Sequence, residues 1–321
     1  MRLTLIIAIA FVLTGCAAHI YCPPDLQSPM TEPIDTFSYT PAPVQLEVLN
    51  TETKKGIVTE ELQYKGADLE DVPKKFSAYL MKPESLKNRV PTVILLPPTE
   101  GDYKLLLGFG KFFVERGYVT LIIPRRGSFF NPERADIEYD RKLIKQTIID
   151  IRRSIDWLQS QDYVDPDKIG ILGVSLGAML STLATAADHR IKAAAFFLGS
   201  SELDQVLMKS TYNRIIKYQR NVFAKMEGTQ SEKLDKIREA LSDVEPKNYA
   251  KYIDPKRVLF LYGRFDAIVP RDISHKTICN LGGPKAYVVP TGHYSAFLFK
   301  NWALKRVFEH FEELFAHPQT S

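Results

Sequence analysis

The sequence predicts an α/β protein with a doubly wound, mostly parallel sheet and a helical cap insertion. Continuous apolar runs, which are typical of strands buried on both faces, occur at 92–96, 119–123 and 193–198. Segments with helical apolar spacing separate these runs, and this alternation is the pattern of a parallel sheet. A segment far longer than an ordinary loop then lies between 198 and the next apolar run at 257–262. It predicts an insertion.

Each element of the sheet follows from a local pattern. Two alternating stretches early in the domain, Val44–Val48 and Lys75–Met81, predict antiparallel edge strands. Gly117 is placed to end the helix that follows the first buried strand. The remaining core strands are predicted at 168–173, 257–262 and 286–289, and the helices at 104–116, 143–158, 178–187 and 302–315.

Composition and charge exclude several classes of partner. The chain has 321 residues and a net charge of only +4, and its Lys and Arg residues are spread along the sequence. We therefore expect no nucleic-acid partner. Its Cys and His residues do not follow zinc-site spacing, and we expect no metal and no cofactor. The sequence does not indicate the oligomeric state.

The N-terminus has the features of an export signal. Arg2 precedes an apolar stretch at 3–12, and Leu13-Thr14-Gly15-Cys16 resembles the lipobox of bacterial lipoproteins. The resemblance implies a signal peptide over 1–15, cleavage before Cys16 and acylation of Cys16, which would hold the protein on a membrane of the bacterial cell envelope. Ala17 favours the outer membrane where one exists. The alternatives are an ordinary signal peptide with a chance cysteine, or an uncleaved anchor.

A Pro-rich segment over 16–43 is predicted to be a tether from the membrane to the domain at 44–321. Cys22 lies in this segment, and Cys279 lies in the domain. Whether the two pair is left open by the sequence.

The strand at 168–173 leads into Gly173-Val174-Ser175-Leu176-Gly177, a G-x-S-x-G motif that opens a helix. The turn must be sharp to project the Ser175 hydroxyl above the sheet, and small residues on both sides let strand and helix cross closely. The alternative is a strand–helix turn with two useful glycines. Because a serine needs a base to become nucleophilic, the motif predicts a histidine partner.

One of six histidines occupies a suitable position. His293 follows the last predicted strand, at the sheet edge where sites form in such folds. Asp266 follows the strand at 257–262 and is the predicted acid that orients the imidazole, with Asp272 as the second choice. The other histidines lie in the N-terminal segment, in a turn, in helices and in the C-terminal tail: His19, His189, His275, His310 and His317.

Together, these motifs resemble the α/β-hydrolase superfamily over residues 75–315, within it the dienelactone-hydrolase-like and prolyl-oligopeptidase-like esterases. The G-x-S-x-G elbow, the G-x-x-D-x-x-V-P turn around Asp266 and the Gly-His pair at His293 carry the resemblance. It implies acyl transfer through a covalent ester on Ser175. Dienelactone hydrolases have a cysteine at the elbow, so Ser175 argues against their substrate.

The expected oxyanion hole departs from the family pattern. Relatives have His-Gly after the first buried strand, whereas this chain has Pro97-Pro98-Thr99-Glu100-Gly101. One donor is predicted to be the backbone N–H of Leu176. Since prolines lack an N–H, Thr99 is the best candidate for the second donor and Glu100 the next. Arg125-Arg126 either binds an acidic substrate or braces its loop, and the brace is favoured.

The function that the resemblance implies is hydrolysis of a small-molecule carboxylic ester at the cell envelope. A serine peptidase of the prolyl-oligopeptidase-like type and a non-catalytic binding lipoprotein are the alternatives. The cap, at about 203–250, is predicted either to line a pocket over Ser175 or to pack on the sheet as additional core. Its candidate lining residues are Met208, Tyr212, Ile215, Ile216 and Phe223.

Overall fold

The computed structural model describes residues 15–22, 30, 34–44, 46–65, 75–99, 103–124 and 126–316. Within these residues ten strands form one sheet in the order β1-β10-β9-β8-β7-β5-β6-β4-β3-β2. The strands are β1 (Cys16–Ala17), β2 (Leu46–Lys54), β3 (Ile57–Lys65), β4 (Lys75–Pro83), β5 (Val90–Leu96), β6 (Val119–Ile122), β7 (Val164–Val174), β8 (Ile191–Phe197), β9 (Val258–Gly263) and β10 (Lys285–Val289).

The six central strands, β6-β5-β7-β8-β9-β10, are parallel, whereas β2, β3, β4 and β1 join antiparallel at the two edges. The apolar runs occupy the centre because both faces of these strands are covered by helices. The helices are α1 (Tyr103–Val114), α2 (Ile137–Gln159), α3 (Leu176–Ala187), α4 (Leu203–Lys209), α5 (Asn213–Ala224), α6 (Gln230–Ala240), α7 (Arg271–Asn280) and α8 (Lys300–Ala316).

The doubly wound arrangement is confirmed by two separate apolar cores. One core joins α2, α3 and the inserted helices to one face of the sheet, and the other joins α1 and α8 to the opposite face. Gly117, at a φ of +85°, follows the end of α1 in the left-handed conformation that suits glycine after a helix. None of the described helices is both long and apolar enough to cross a bilayer.

The antiparallel edge contains a strand that the sequence did not predict. β2 and β3 form a hairpin whose two-residue turn is Lys55-Gly56, with φ of +54° and +75°. Positive φ at both positions is the geometry of the tight turns that match the twist of paired strands. Lys at the first position is not among the favoured turn residues, which explains why the sequence pattern did not reveal the hairpin.

The described residues of the predicted tether lie on the domain, so that prediction is wrong for these residues. β1 pairs with β10, Cys22 forms a disulfide with Cys279 in α7, and the Phe37 side chain is fully buried in the core. The disulfide and the apolar contact fix a segment whose Pro-rich composition resembles a linker.

The insertion between β8 and β9 contains α4, α5 and α6 and is held by charged groups. The Asp204 carboxylate of α4 accepts hydrogen bonds from Arg238 of α6 at 2.9 Å and from Lys247 at 3.0 Å. Glu245 accepts the backbone N–H groups of Leu203 and Asp204, at 2.7 and 3.2 Å, and so caps the N-terminus of α4 from outside the helix. Burial raises the pKa of Glu245 to about 7. These contacts therefore hold the parts of the insertion to one another, while the ion pair of Lys209 with Asp272 and the hydrogen bond from Arg214 to Ser128 fix it to the rest of the domain.

Candidate active site

Ser175 lies in the turn between β7 and α3 and has a φ of +55°, which is unusual for a residue with a side chain. Its N–H donates to the carbonyl oxygen of Phe197 at 2.7 Å, which ties the turn to the neighbouring strand. A Cβ at Gly173 would lie 2.1 Å from the carbonyl oxygen of Gly177, and a Cβ at Gly177 would lie 2.3 Å from that of Leu96. Both glycines are needed because backbone passes directly against them.

Three side chains converge above this turn. His293 Nε2 lies 3.0 Å from Ser175 Oγ, and His293 Nδ1 lies 2.7 Å from Asp266 Oδ2. His293 follows β10 and Asp266 follows β9, so both reach the carboxyl edge of the parallel strands, where β7 also ends. The structure thus brings together the three residues that the sequence singled out, in nucleophile, base and acid geometry.

The second oxygen of Asp266 is also occupied. Oδ1 accepts the backbone N–H groups of Ile268 and Val269, at 2.8 and 2.9 Å. Two N–H donors on one oxygen fix the plane of the carboxylate, so that the other oxygen faces the imidazole. The Asp266 side chain is buried, which excludes water from the acid–histidine hydrogen bond.

The predicted oxyanion donors lie beside the nucleophile. Leu176 is the first residue of α3, a position at which the backbone N–H has no carbonyl partner within its helix. Thr99 lines the same cavity as Ser175, and the carbonyl groups of Leu96 and Pro97 pass against Gly177 at the start of α3. Glu100, the other candidate, lies outside the described residues. The donor roles stay predictions.

Several other candidates have structural partners. Asp272 is exposed and its carboxylate pairs with Lys209 at 2.9 Å, which lowers the pKa of Asp272. Arg126 is buried in an ion pair with Asp150 at 3.2 Å, as the bracing interpretation predicts, while Arg125 lies outside the described residues. Cys16 is exposed and is not part of the disulfide.

Ser175 and His293 line a cavity of about 610 Å³. The insertion supplies one wall, in which Tyr212 and Ile215 are the predicted residues that line it. The prediction is wrong for the other three: Ile216 is 44% exposed, and Met208 and Phe223 lie outside the lining. Instead, the insertion contributes Leu203, Val206 and Leu207 from α4.

The opposite wall was not predicted at all. It comes from α1, through Leu105 and Phe109, and from the start of α8, through Phe297 just before it and Ala303 within it. These helices lie on the other face of the sheet, and their side chains rise past its edge. A helical pattern indicates one buried face but not that its end borders a cavity, so only the position of both helix starts at the carboxyl edge could have suggested this wall.

Similarity to known proteins identifies the family of this chain. Residues 110–285, more than half of the chain, match the prolyl oligopeptidase family. The chain belongs to the prolyl oligopeptidase family. Over 191 residues it is 25% identical to "Putative hydrolase YtaP" of Bacillus subtilis (strain 168), a match that covers 53% of this chain. It spans 62% of that relative, less than two thirds of its length.

Solved structures share the fold at low identity. The acetyl xylan esterase from Paenibacillus sp. R4 is 21% identical with a TM-score of 0.66, and the match covers 85% of this chain and 90% of that one. Acetyl xylan esterase 1 from Thermoanaerobacterium sp. JW/SL YS485 is 18% identical with a TM-score of 0.63, over 88% and 96%. The Pyrococcus horikoshii acylaminoacyl peptidase is 16% identical with a TM-score of 0.57, over 83% of this chain and 49% of that one. These similarities show that the chain has the α/β-hydrolase fold.

Proposed function

We propose that this member of the family is a serine hydrolase that cleaves carboxylic esters through a covalent acyl-enzyme on Ser175, at the bacterial cell envelope. The observation that carries the proposal is the continuous hydrogen-bonded path from Asp266 through His293 to Ser175 Oγ, at the mouth of a mainly apolar cavity. A strained turn and a fixed carboxylate both serve this path.

In the first half of the reaction, Ser175 Oγ attacks the ester carbonyl carbon while His293 Nε2 takes the hydroxyl proton. The buried Asp266 carboxylate stabilises the imidazolium that forms. The tetrahedral intermediate then expels the alcohol, which takes the proton from His293, and the acyl group remains on Ser175. In the second half, water attacks the acyl carbon while His293 removes its proton. The bond to Ser175 Oγ then breaks, and the proton returns to Ser175.

The negative charge of the intermediate would be stabilised at the start of α3. The Leu176 N–H points from the helix N-terminus, where the helix dipole also favours negative charge. The Thr99 N–H is the proposed second donor, on a turn held close to α3 by the fit of Leu96 and Pro97 against Gly177.

The cavity supports an ester with an apolar acyl group. Among the described lining residues, Lys104, Lys300 and His293 are the only ionisable side chains apart from tyrosines, and carboxylates are absent. A carboxylate would be the natural partner of a peptide's amino terminus. Peptide hydrolysis remains the second candidate because the family is named after an oligopeptidase.

The direct test is labelling with a fluorophosphonate probe, which reacts only with an activated serine. We expect wild-type protein to be labelled and Ser175→Ala to be unlabelled. Lack of labelling in folded wild-type protein would overturn the proposal and favour the binding lipoprotein. A panel of p-nitrophenyl esters of rising chain length, set beside aminoacyl-p-nitroanilides, separates the two hydrolase candidates by kcat/KM.

A further inference from the structure

Cys16, the residue proposed to carry lipid, lies at the carboxyl edge of the parallel strands, as Ser175 does. β1 is antiparallel to β10, with Cys16 opposite Val288, the residue before the end of β10. Adjacent strands are about 5 Å apart, and the chain runs from the end of β10 directly to His293. The amino-terminal end of β1 therefore faces the carboxyl edge, where the cavity opens.

This placement is rigid rather than a chance position of a loose end. The Ala18 N–H donates to the Ala286 carbonyl oxygen at 2.8 Å, and the Cys22–Cys279 disulfide follows six residues after Cys16. With no spacer between Cys16 and the sheet, acyl chains on Cys16 would bring this edge onto the bilayer surface.

The loops on this edge expose large apolar side chains. Phe265 is 66% exposed, Tyr294 66% and Leu298 72%. Phe265 precedes Asp266, and the other two follow His293, so all three lie on the catalytic loops, and Phe265 and Tyr294 line one cleft beside His293. We call these three residues the apolar rim. Clustered exposed apolar side chains mark a surface that meets another apolar phase.

Basic groups accompany the apolar rim. Arg264 is exposed beside Phe265, and the Lys300 ammonium lies 4.1 Å over the ring of Phe297 at the cavity wall. Aromatic residues with adjacent cations suit the boundary between acyl chains and anionic headgroups.

We propose that the apolar rim docks on the bilayer that holds the Cys16 lipid, and that the substrate is a membrane-borne ester whose acyl chain enters the cavity directly from that bilayer. The inference rests on the proposed function and on acylation of Cys16. A bilayer is favoured over a protein partner because the anchor, the rim and the mouth of an apolar cavity share one edge. An acyl chain moving from bilayer to cavity would also avoid exposure to water.

Docking can be tested without any catalytic readout. In the acylated, disulfide-bonded chain, a cysteine at position 298 would be the one free thiol, because Cys16, Cys22 and Cys279 are all used. Leu298→Cys, labelled with an environment-sensitive fluorophore and reconstituted in phosphatidylglycerol–phosphatidylcholine vesicles, is compared with Val48→Cys. Val48 is similarly exposed, at 52%, but lies on β2, nine strands across the sheet from β1 and so about 40 Å from the anchor along the sheet.

We expect nitroxide-labelled lipids to quench the fluorophore at position 298 at least threefold more than at position 48. Equal quenching at the two positions would overturn the docking proposal, whatever the enzyme's activity.

Substrate delivery is tested with Leu298→Glu, using Val48→Glu as the matched control. Leu298 does not line the cavity, so hydrolysis of a water-soluble butyrate ester should stay within about twofold of wild type in both variants. Hydrolysis of a long-chain ester carried in vesicles should fall at least tenfold in Leu298→Glu alone, since a buried charge opposes docking. An unchanged rate on the vesicle-borne ester would refute delivery from the bilayer.

The two failures are distinguishable. If the folded wild-type protein neither takes the fluorophosphonate probe nor hydrolyses either ester, the proposed function fails, and the quenching comparison still decides docking. If the probe reacts and the soluble ester is hydrolysed but the two positions are quenched alike, only the membrane inference fails.

Discussion

Asp266→Asn tests the proposed chemistry through the hydrogen bonds of a single side chain. Because Oδ1 of Asp266 accepts the N–H groups of Ile268 and Val269, the amide oxygen of an asparagine must take that position. The amide NH₂ would then face His293 Nδ1, which must accept a hydrogen bond and so lose its proton. The ring proton moves to Nε2, which would donate to Ser175 Oγ instead of removing its proton.

The predicted loss is large because the substitution reverses a required tautomer and also removes the charge that stabilises the imidazolium. Related triads lose about 10⁴-fold in kcat for this change, roughly 5 kcal/mol of transition-state stabilisation. We expect a loss of about 10³- to 10⁴-fold with p-nitrophenyl acetate, with little change in the urea midpoint because the side chains have the same shape.

Asp272→Asn is the matched control. Asp272 is the other acidic residue of the turn and helix that follow β9, and its exposed carboxylate pairs with Lys209. We expect kcat within about twofold of wild type for this variant. The reasoning is refuted if Asp266→Asn keeps kcat within tenfold of wild type, or if the two variants lose activity equally.

Three further predictions concern the anchor, the cavity and the insertion. Cys16→Ser should abolish incorporation of a palmitate analogue and release the protein from the membrane fraction, whereas equal label in both proteins would contradict acylation. Ile215→Ala removes part of the cavity wall and should raise the kcat/KM ratio of octanoyl to acetyl esters about tenfold, as expected for a change of a few methylenes. Ile216 does not line the cavity, so Ile216→Ala should leave that ratio unchanged. Glu245 has a pKa of about 7 in the fold and a usual value of 4.5, so its folded form keeps a proton that the unfolded chain releases, and stability falls as the pH rises between these values. Between pH 4.5 and 8, the free energy of unfolding measured with urea should therefore fall by about 3 kcal/mol more in wild type than in Glu245→Gln. Equal decreases in the two proteins would show that Glu245 is not the cause.

The residues of the site were predictable because each is required by local geometry or by its place on a strand. Gly173 and Gly177 follow from the close crossing of strand and helix, and the structure leaves no room for a Cβ at either position. His293 and Asp266 follow from the rule that loops leaving the carboxyl ends of parallel strands meet. The sequence order of the three motifs was enough to place them together.

Other features depend on contacts between distant parts of the chain and have no local signature. The disulfide joins residues 257 positions apart, and the pairing of β1 with β10 brings the segment that contains Cys22 toward α7. Composition alone predicts a tether for the same segment. In the insertion, helical spacing identified apolar residues correctly but not their direction, because the helices have both the domain core and the cavity to pack against. Ile215 faces the cavity while its neighbour Ile216 is exposed.

The cavity beside Ser175 lies between two apolar walls that come from opposite faces of the sheet. α4 provides one wall, and Glu245, which is not part of that helix, caps its N-terminus. The other wall rises from α1 and α8, on the face of the sheet opposite the insertion. An acyl group on Ser175 would therefore lie in a slot that is open at the catalytic edge, where β1 also places Cys16. Under the proposed function, a free spacer after Cys16 would let the mouth turn in any direction, whereas pairing of β1 with β10 holds it toward the surface from which an apolar substrate would come.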